Sequence, residues 1–270
     1  MDYNKLVDLA YNARADVIQM ATNNGSFVGS AFSCMELIVF LYERYLNLDK
    51  ILRKEKERDI LLLSKGHAVC ALYAYLVEKQ VLPKSLIIDY NSNIDSSVYI
   101  HPNHHISCIE FNSGSLGHML SIATGIAIFR KRNNVLSKNV VILGDGELDE
   151  GSVWESLMIA SSQKLDNLIL IVDRNYYQAN FCTEDLVSLE PLADKFRSFG
   201  AHVCEVNGHS FEDLDSCFKS LVPNDKPIVI IANTIRGKGV TDIENKWDQW
   251  FIELSKNDAE KLSKKLYRFV

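Results

Sequence analysis

The chain has 270 residues, a formal net charge of −6 and 47% hydrophobic residues. That length suits one large α/β domain or two small ones, and the apolar share supports a substantial core. The acidic balance argues against a general nucleic-acid binder, which needs a basic surface to neutralise phosphates. Six cysteines, at positions 34, 70, 108, 182, 204 and 217, form no CxxC pair. They predict buried thiols in a reducing cytoplasm, not disulfides or a zinc site. The opening stretch MDYNKLVDLAYNARADVIQ carries charges throughout, so no signal peptide is expected. No run approaches the roughly 18 uncharged apolar residues of a membrane span. With five prolines, no repeat and no linker, residues 1–270 read as a single domain.

In chain order, the first element is an amphipathic helix over 3–22, with Leu6, Leu9, Ala13, Val17 and Met20 at helical spacing. The loop NNGSFVGSAFS follows, then a helix over 34–45. Ile60 to Leu63 is a short apolar strand; SKGHA comes next, then a helix to about Glu78, which puts His67 just past a strand end. HPNHHISCIEFNSGSLGH begins at His101 and leads into a helix where Gly117, Ala123, Gly125 and Ala127 permit tight packing. Ser115 is its candidate N-cap. His104, His105 and His118 have no third ligand at metal-site spacing.

The stretch from Val140 to Tyr177 carries the most information. It opens VVILGDGELDEG and closes NLILIVDRNYYQ. The apolar run before Gly144 and the run 168–172 read as buried parallel strands. The segment 153–165 between them has helical spacing, which makes a right-handed βαβ unit. Gly144, Asp145 and Gly146 then share the carboxyl edge of the sheet with Asn175, where ligands of open α/β sheets bind. The two glycines let backbone N–H groups approach a phosphate. Asp145 offers an anionic oxygen and Asn175 a neutral amide oxygen. With phosphate oxygens, such ligands suit Mg²⁺, which rarely has an all-protein cage. A capped tight turn is the bland alternative for GDG alone; an Asn thirty residues on makes the pattern far more specific. Further along come a helix over 192–199, a strand over 203–206, a capping-box-like start at Ser210 and Asp213, a buried strand over 227–233 ending in TIRGKGV, and a charged helix over 256–269. Arg174, beside Asn175, reads as a surface charge.

The GDG-to-Asn spacing is similar to the thiamine diphosphate (ThDP) fingerprint. LGDGELDEGSVWESLMIASSQKLDNLILIVDRNYYQ resembles the transketolase family almost throughout. So do LSKGHA before LYA, HP before GSLG, and the TIRGKG turn. The resemblance runs from about residue 5 to 255 and is to the family's diphosphate-binding domain only. It implies the ThDP-binding fold, a mostly parallel central sheet with helices on both faces. It implies that Asp145, Asn175 and the Tyr177 carbonyl hold the metal, Mg²⁺ or in its place Ca²⁺ or Mn²⁺. It also implies that Gly144 and Gly146 meet the diphosphate, that the Gly114 backbone faces the aminopyrimidine, and that Leu116 touches the thiazolium. Glu150 would lie at an interface between subunits, facing a partner glutamate, and Lys238 could neutralise diphosphate or substrate charge. His67 and His101 would donate hydrogen bonds to the donor substrate and shuttle protons.

Two positions depart from the family pattern. Phe27 stands where transketolases have the His of GHPG or GHVG, and Phe251 stands where a His follows Trp. These changes point away from pentose phosphate chemistry and toward a specialised acceptor. ThDP reacts through a carbanion that the cofactor supplies and a glutamate of the pyrimidine domain activates. No motif for that glutamate is found here, so a second polypeptide is expected to carry the pyrimidine-binding and C-terminal domains, in a heterotetramer. The expected activity is transfer of a two-carbon ketol or acyl unit from a ketose or 2-oxo acid to an acceptor carbonyl. A ThDP-dependent lyase or decarboxylase-type subunit, or a non-catalytic ThDP-binding partner, are the alternatives.

Overall fold

A computed structural model of the chain describes residues 2–92, 96 and 98–269. Met1 and Val270, the outermost residues of the single-domain reading, lie outside the described residues. Five parallel strands form the central sheet: β1 (Ile60–Leu63), β2 (Asn139–Gly144), β3 (Leu168–Arg174), β6 (His202–Asn207) and β7 (Ile228–Asn233), in the order β1-β2-β3-β7-β6. Two short strands, β4 (Tyr177–Gln178) and β5 (Phe181–Cys182), pair antiparallel as a hairpin just past β3. The expected strands β1, β2 and β3 are buried along nearly all of their length because both sheet faces are covered. Alternate residues serve opposite cores: Val140, Ile142, Ile169, Ile171 and Ile230 pack on one face, and Val141, Leu143, Leu170, Val172 and Ile231 on the other. The edge strand β6 is only half-buried.

Crossover handedness explains which helices lie where. The helices Met119–Arg132, Gly151–Ser162 and Leu192–Ser198 follow β1, β2 and β3 and share one core. The chain then reverses direction across the sheet from β6 to β7, and a right-handed crossover in that direction needs the opposite face. The connecting helix Phe211–Ser220 lies there, with Asn4–Met20 and Val69–Glu78. The carboxyl ends of β1, β2, β3 and β7 therefore open onto one edge. Ser210 caps Phe211–Ser220 by accepting from the Asp213 N–H at 3.1 Å, as its sequence predicts.

Three expectations are corrected. The helix predicted over 34–45 is Met35–Phe40 followed by a π-helical turn, Leu41–Tyr45, with Val28–Ser33 before it. Ser115 does not cap the next helix; it is exposed, and the helix starts at Met119 with His118 in the cap position and no side-chain cap. Gly125 does not mediate internal packing, because a Cβ there would meet open space, whereas Ala123 and Ala127 are buried.

Candidate functional site

Asp145 begins the turn after β2 and is 1% exposed. Its Oδ1 accepts from the Gly146 N–H at 2.9 Å, and its Oδ2 from the Tyr176 N–H at 2.6 Å and the Arg174 guanidinium at 3.2 Å. Burial pushes the carboxyl up to about 6; the Asp173 charge adds to this and Arg174 opposes it. A buried carboxylate held this way gains from a nearby cation. Gly146 must be glycine, since a Cβ there would lie 2.7 Å from Gln178 Cβ. Glu147 ties the turn to its neighbours: Oε1 accepts from the Gly117 N–H at 2.8 Å and Oε2 from the Gly144 N–H at 3.1 Å.

Asp173, near the end of β3, is fully buried and paired with Lys65, which is 1% exposed. Burial alone would raise the Asp173 carboxyl, but Lys65 and hydrogen bonds from Ser33 and Thr234 hold it below the usual range. The same group orients Asn175. Its Nδ2 faces Ser33 Oγ at 3.3 Å and Asp173 Oδ2 at 3.4 Å, while its Oδ1 accepts from the Tyr177 N–H at 3.0 Å and keeps a lone pair free. Arg236, past β7, is 2% exposed, lies over the Tyr177 ring at 4.8 Å and reaches the Tyr177 and Ala179 carbonyls. Lys65, Asp145, Asn175, Tyr177 and Arg236 line a cavity of about 250 Å³ with His67, Leu116, Gly144 and Trp250. Arg236 Nε and Gln178 Oε1, both on lining residues, are buried without a hydrogen-bond partner. Orphaned polar atoms in a cavity of mixed charge are what an anionic ligand with a hard divalent cation would satisfy. Among the described residues no cluster of three His, Cys, Asp or Glu could hold a metal alone. Any cation here would share a carboxylate, an amide and a carbonyl with the ligand's own oxygens.

His67 and Trp250 also line the cavity, and Phe27, His101 and Phe251 pack beside them without lining it. His67 Nε2 bonds Ser30 Oγ at 2.8 Å. Burial holds its imidazole well below the usual range, with the Lys65, His101 and Arg236 charges adding. The Phe27 ring lies 5.4 Å from His67, 6.4 Å from His101, 4.9 Å from Trp250 and 5.0 Å from Phe251. The two phenylalanines that replace family histidines are thus packed against each other. The His101 imidazole is also lowered by burial, and it sits on Gly114, where a Cβ would lie 2.6 Å from the ring. Gly114 has φ +144°, so its backbone and the ring both require glycine.

Two residues are not where the sequence suggests. Lys238 does not line the cavity; its ammonium faces Glu244 at 3.8 Å and the Phe269 ring at 4.9 Å, because the end of the chain crosses over it. Arg236, two residues earlier, is the cation that reaches the cavity. Arg174 is no surface charge: it is 1% exposed and binds Asp145, Thr183, Glu184 and Glu190. Glu150 is exposed at the cap position of Gly151–Ser162, outside the cavity. The His104 and His105 rings lie tilted against each other, centroids 4.1 Å apart, in an exposed loop, and His118 is exposed. Lys65, Asp173, Arg236 and Trp250 were not singled out from the sequence. The signal for the first two was present: an Asp inside a fully buried strand needs a cation, and SKGHA supplies one at the end of a strand in the same sheet.

The family model for the transketolase thiamine diphosphate-binding domain matches residues 4–268. The chain belongs to this family. Its relatives include one subunit of the apulose-4-phosphate transketolase of Actinobacillus succinogenes, 36% identical over 97% of this chain and 96% of that one. The 6-deoxy-6-sulfo-D-fructose transketolase subunit of a Clostridium species is 36% identical over 81% of this chain and 80% of that one. Among solved structures, Campylobacter jejuni transketolase superposes with a TM-score of 0.83 at 25% identity. That match covers 98% of this chain but 43% of the other, so this chain spans about two fifths of the solved transketolases. No helix among the described residues is long and apolar enough to cross a membrane, and all six cysteines are unpaired.

Proposed function

We propose that this chain is the diphosphate-binding subunit of a two-chain, ThDP-dependent transketolase-like enzyme. It would transfer a two-carbon ketol or acyl unit from a ketose or 2-oxo acid to an acceptor carbonyl. One observation carries the reading: the Asp145 carboxylate, the Asn175 amide oxygen and the Tyr177 carbonyl sit at one cavity with Lys65 and Arg236 in its walls. Asp145, Asn175 and Tyr177 would hold Mg²⁺, with Ca²⁺ or Mn²⁺ able to replace it. Gly144 and Gly146 would present the diphosphate to the turn, and Arg236 would take the place assigned to Lys238. Gly114 and Leu116 would meet the cofactor rings. The cavity lies just under the roughly 300–1,000 Å³ of sites that enclose a whole drug-sized ligand, which suits a half-site. Bound ThDP supplies the carbon nucleophile. This chain's own residues bind and orient. Burial lowers the His67 and His101 imidazoles, and each would hold a substrate oxygen by an N–H and exchange its proton.

The second chain is proposed on two supports. This chain spans nearly all of a relative named as one subunit of its enzyme, but well under half of full-length transketolases. The packed helices Met119–Arg132 and Gly151–Ser162 also leave Phe129, Met158 and Ile159 exposed at 63%, 58% and 52%, next to the open Gly125 and Gly151. A partner with the pyrimidine-binding and C-terminal domains would cover them, and Glu150 would meet its glutamate. Closed two-fold symmetry favours a heterotetramer. Unpaired cysteines suit the cytoplasm.

Two relatives are named for apulose 4-phosphate and 6-deoxy-6-sulfo-D-fructose, and the Phe27–Phe251 pair fits a specialised sugar of this kind. A site without polar partners binds a hydroxylated acceptor poorly, because the buried hydroxyl is left unpaired. Ribose 5-phosphate should be a poor acceptor, and Phe27→His should improve its kcat/KM. Product analysis of the assembled enzyme with a panel of donors and acceptors tests the activity. Efficient transfer to ribose 5-phosphate by the unaltered protein would show the substitution to be silent. Products of lyase or decarboxylase type without ketol transfer would favour that alternative.

A further inference from the structure

We propose that His209 is a positioning residue, which sets Arg236 in the cavity through a buried Arg14–Glu36–His209 clamp on the turn 234–239. The inference rests on the cofactor reading above. It starts from three charged or titratable side chains that the functional site does not use, although they are 1%, 1% and 7% exposed. Buried groups of this kind are costly unless fully paired, and here they are paired. Arg14 grips Glu36 bidentately at 2.5 and 2.8 Å. Burial alone would raise the Glu36 carboxyl, but the Arg14 charge and hydrogen bonds from His209 and Arg14 outweigh it and hold it down at about 2. Glu36 Oε2 lies 2.7 Å from His209 Nδ1.

The outer ends of the clamp all fall on one turn. The Ile235 N–H donates to His209 Nε2 at 2.8 Å, and Arg14 Nε donates to the Lys238 carbonyl at 2.8 Å. A backbone N–H can only donate, so Nε2 must accept and the ring proton sits on Nδ1, facing Glu36. The carboxylate thus fixes the tautomer that the turn needs, as outer-shell carboxylates do for metal-binding histidines. Between Ile235 and Lys238 lies Arg236, whose guanidinium enters the cavity. Other bonds hold the rest of the turn: the Thr234 N–H donates to the Arg174 carbonyl at 3.0 Å, the Gly237 N–H to the Gly29 carbonyl at 3.0 Å, the Gly239 N–H to Glu244 Oε1 at 2.9 Å and the Asn245 N–H to the Arg236 carbonyl at 2.9 Å, while the clamp bonds the Ile235 N–H and the Lys238 carbonyl on either side of Arg236. The clamp cannot touch a ligand itself. Phe269 closes over it, edge-on to His209 at 5.8 Å and under Arg14 at 5.0 Å.

The test is a double-mutant cycle on the full chain, read by calorimetry of Mg²⁺–ThDP binding. His209→Phe keeps a ring against Phe269 and removes both nitrogens. It should weaken binding by about 10–100-fold, the usual effect of losing an outer-shell partner. His209→Gln, which can donate and accept at once, should stay within a few-fold of the unaltered chain. In an Arg236→Met background the additional effect of His209→Phe should vanish, because the guanidinium it positions is gone. If His209→Phe does not fold, His209→Ala takes its place in the cycle. An equal loss in both backgrounds, or unchanged affinity in the variant, overturns the clamp. An unaltered chain that binds no Mg²⁺–ThDP overturns the cofactor reading itself, and the clamp with it.

Discussion

Asp145→Ala is expected to abolish metal-dependent ThDP binding. The substitution removes the one charged oxygen of the proposed donor set and leaves the Arg174 guanidinium and the Tyr176 N–H without their buried acceptor. The loss should exceed the roughly 10–100-fold that follows removal of an outer-shell partner, since a ligand itself is gone. Asp145→Asn separates the two causes, because its amide oxygen can still accept from both donors while the charge is lost and the Gly146 N–H gives up its side-chain acceptor. Its affinity should also collapse if the carboxylate binds a cation. The pH dependence has a definite sign. With the carboxyl pushed up to about 6, a proton competes with the cation below that pH, so affinity should fall as pH drops through about 6 and level off above it. Calorimetry with Mg²⁺ and ThDP at pH 5 and pH 8 reads all three effects. Unchanged affinity in Asp145→Ala would remove this residue from the site.

His101→Ala should lower turnover by about 10²–10⁴-fold, the range for a positioned acid–base group, while ThDP affinity stays put. The ring rests on Gly114 and faces Phe27, and it is not among the residues that line the cavity with Asp145 and Asn175. On the proposed reading it acts on substrate and not on the metal. The measurement is kcat of the assembled enzyme alongside cofactor titration. Activity within a few-fold of normal would make His101 a loop residue that packs against glycine. Loss of ThDP binding in step with activity would make it part of the cofactor site instead.

The sheet was legible because a parallel strand covered on both faces must be apolar throughout. The runs over 60–63, before Gly144, over 168–172 and over 227–233 satisfy that condition. The Asp145 turn and Asn175 were legible for the same reason: polar residues that interrupt buried strands mark the sheet's carboxyl edge. What escaped the sequence depends on contacts between distant segments. Arg174 ends one buried strand and Lys238 lies in the turn after another, and spacing cannot say which way either points. Thr183, Glu184 and Glu190 fold back to bury the first; Tyr267 and Phe269 draw the second away from the cavity. Gly125 shows the converse. Its place in a small-residue helix suggests close internal packing, yet it lies on the open face with Phe129. The meeting of Phe27 with Phe251 was equally hidden, because their 224-residue separation is closed by the bridge between Ser26 and Ile252.

Central to all of this is the proposal that the chain holds one end of ThDP and needs a second chain to use it. The direct measurement is ketol-transfer activity of this chain alone, of the pyrimidine-domain chain alone, and of the two mixed, with light scattering on each sample. Neither chain should show turnover by itself, and the mixture should show it in a species with the mass of two copies of each. Full turnover by this chain alone would contradict the proposal, because the activating glutamate would then have to lie within these 270 residues.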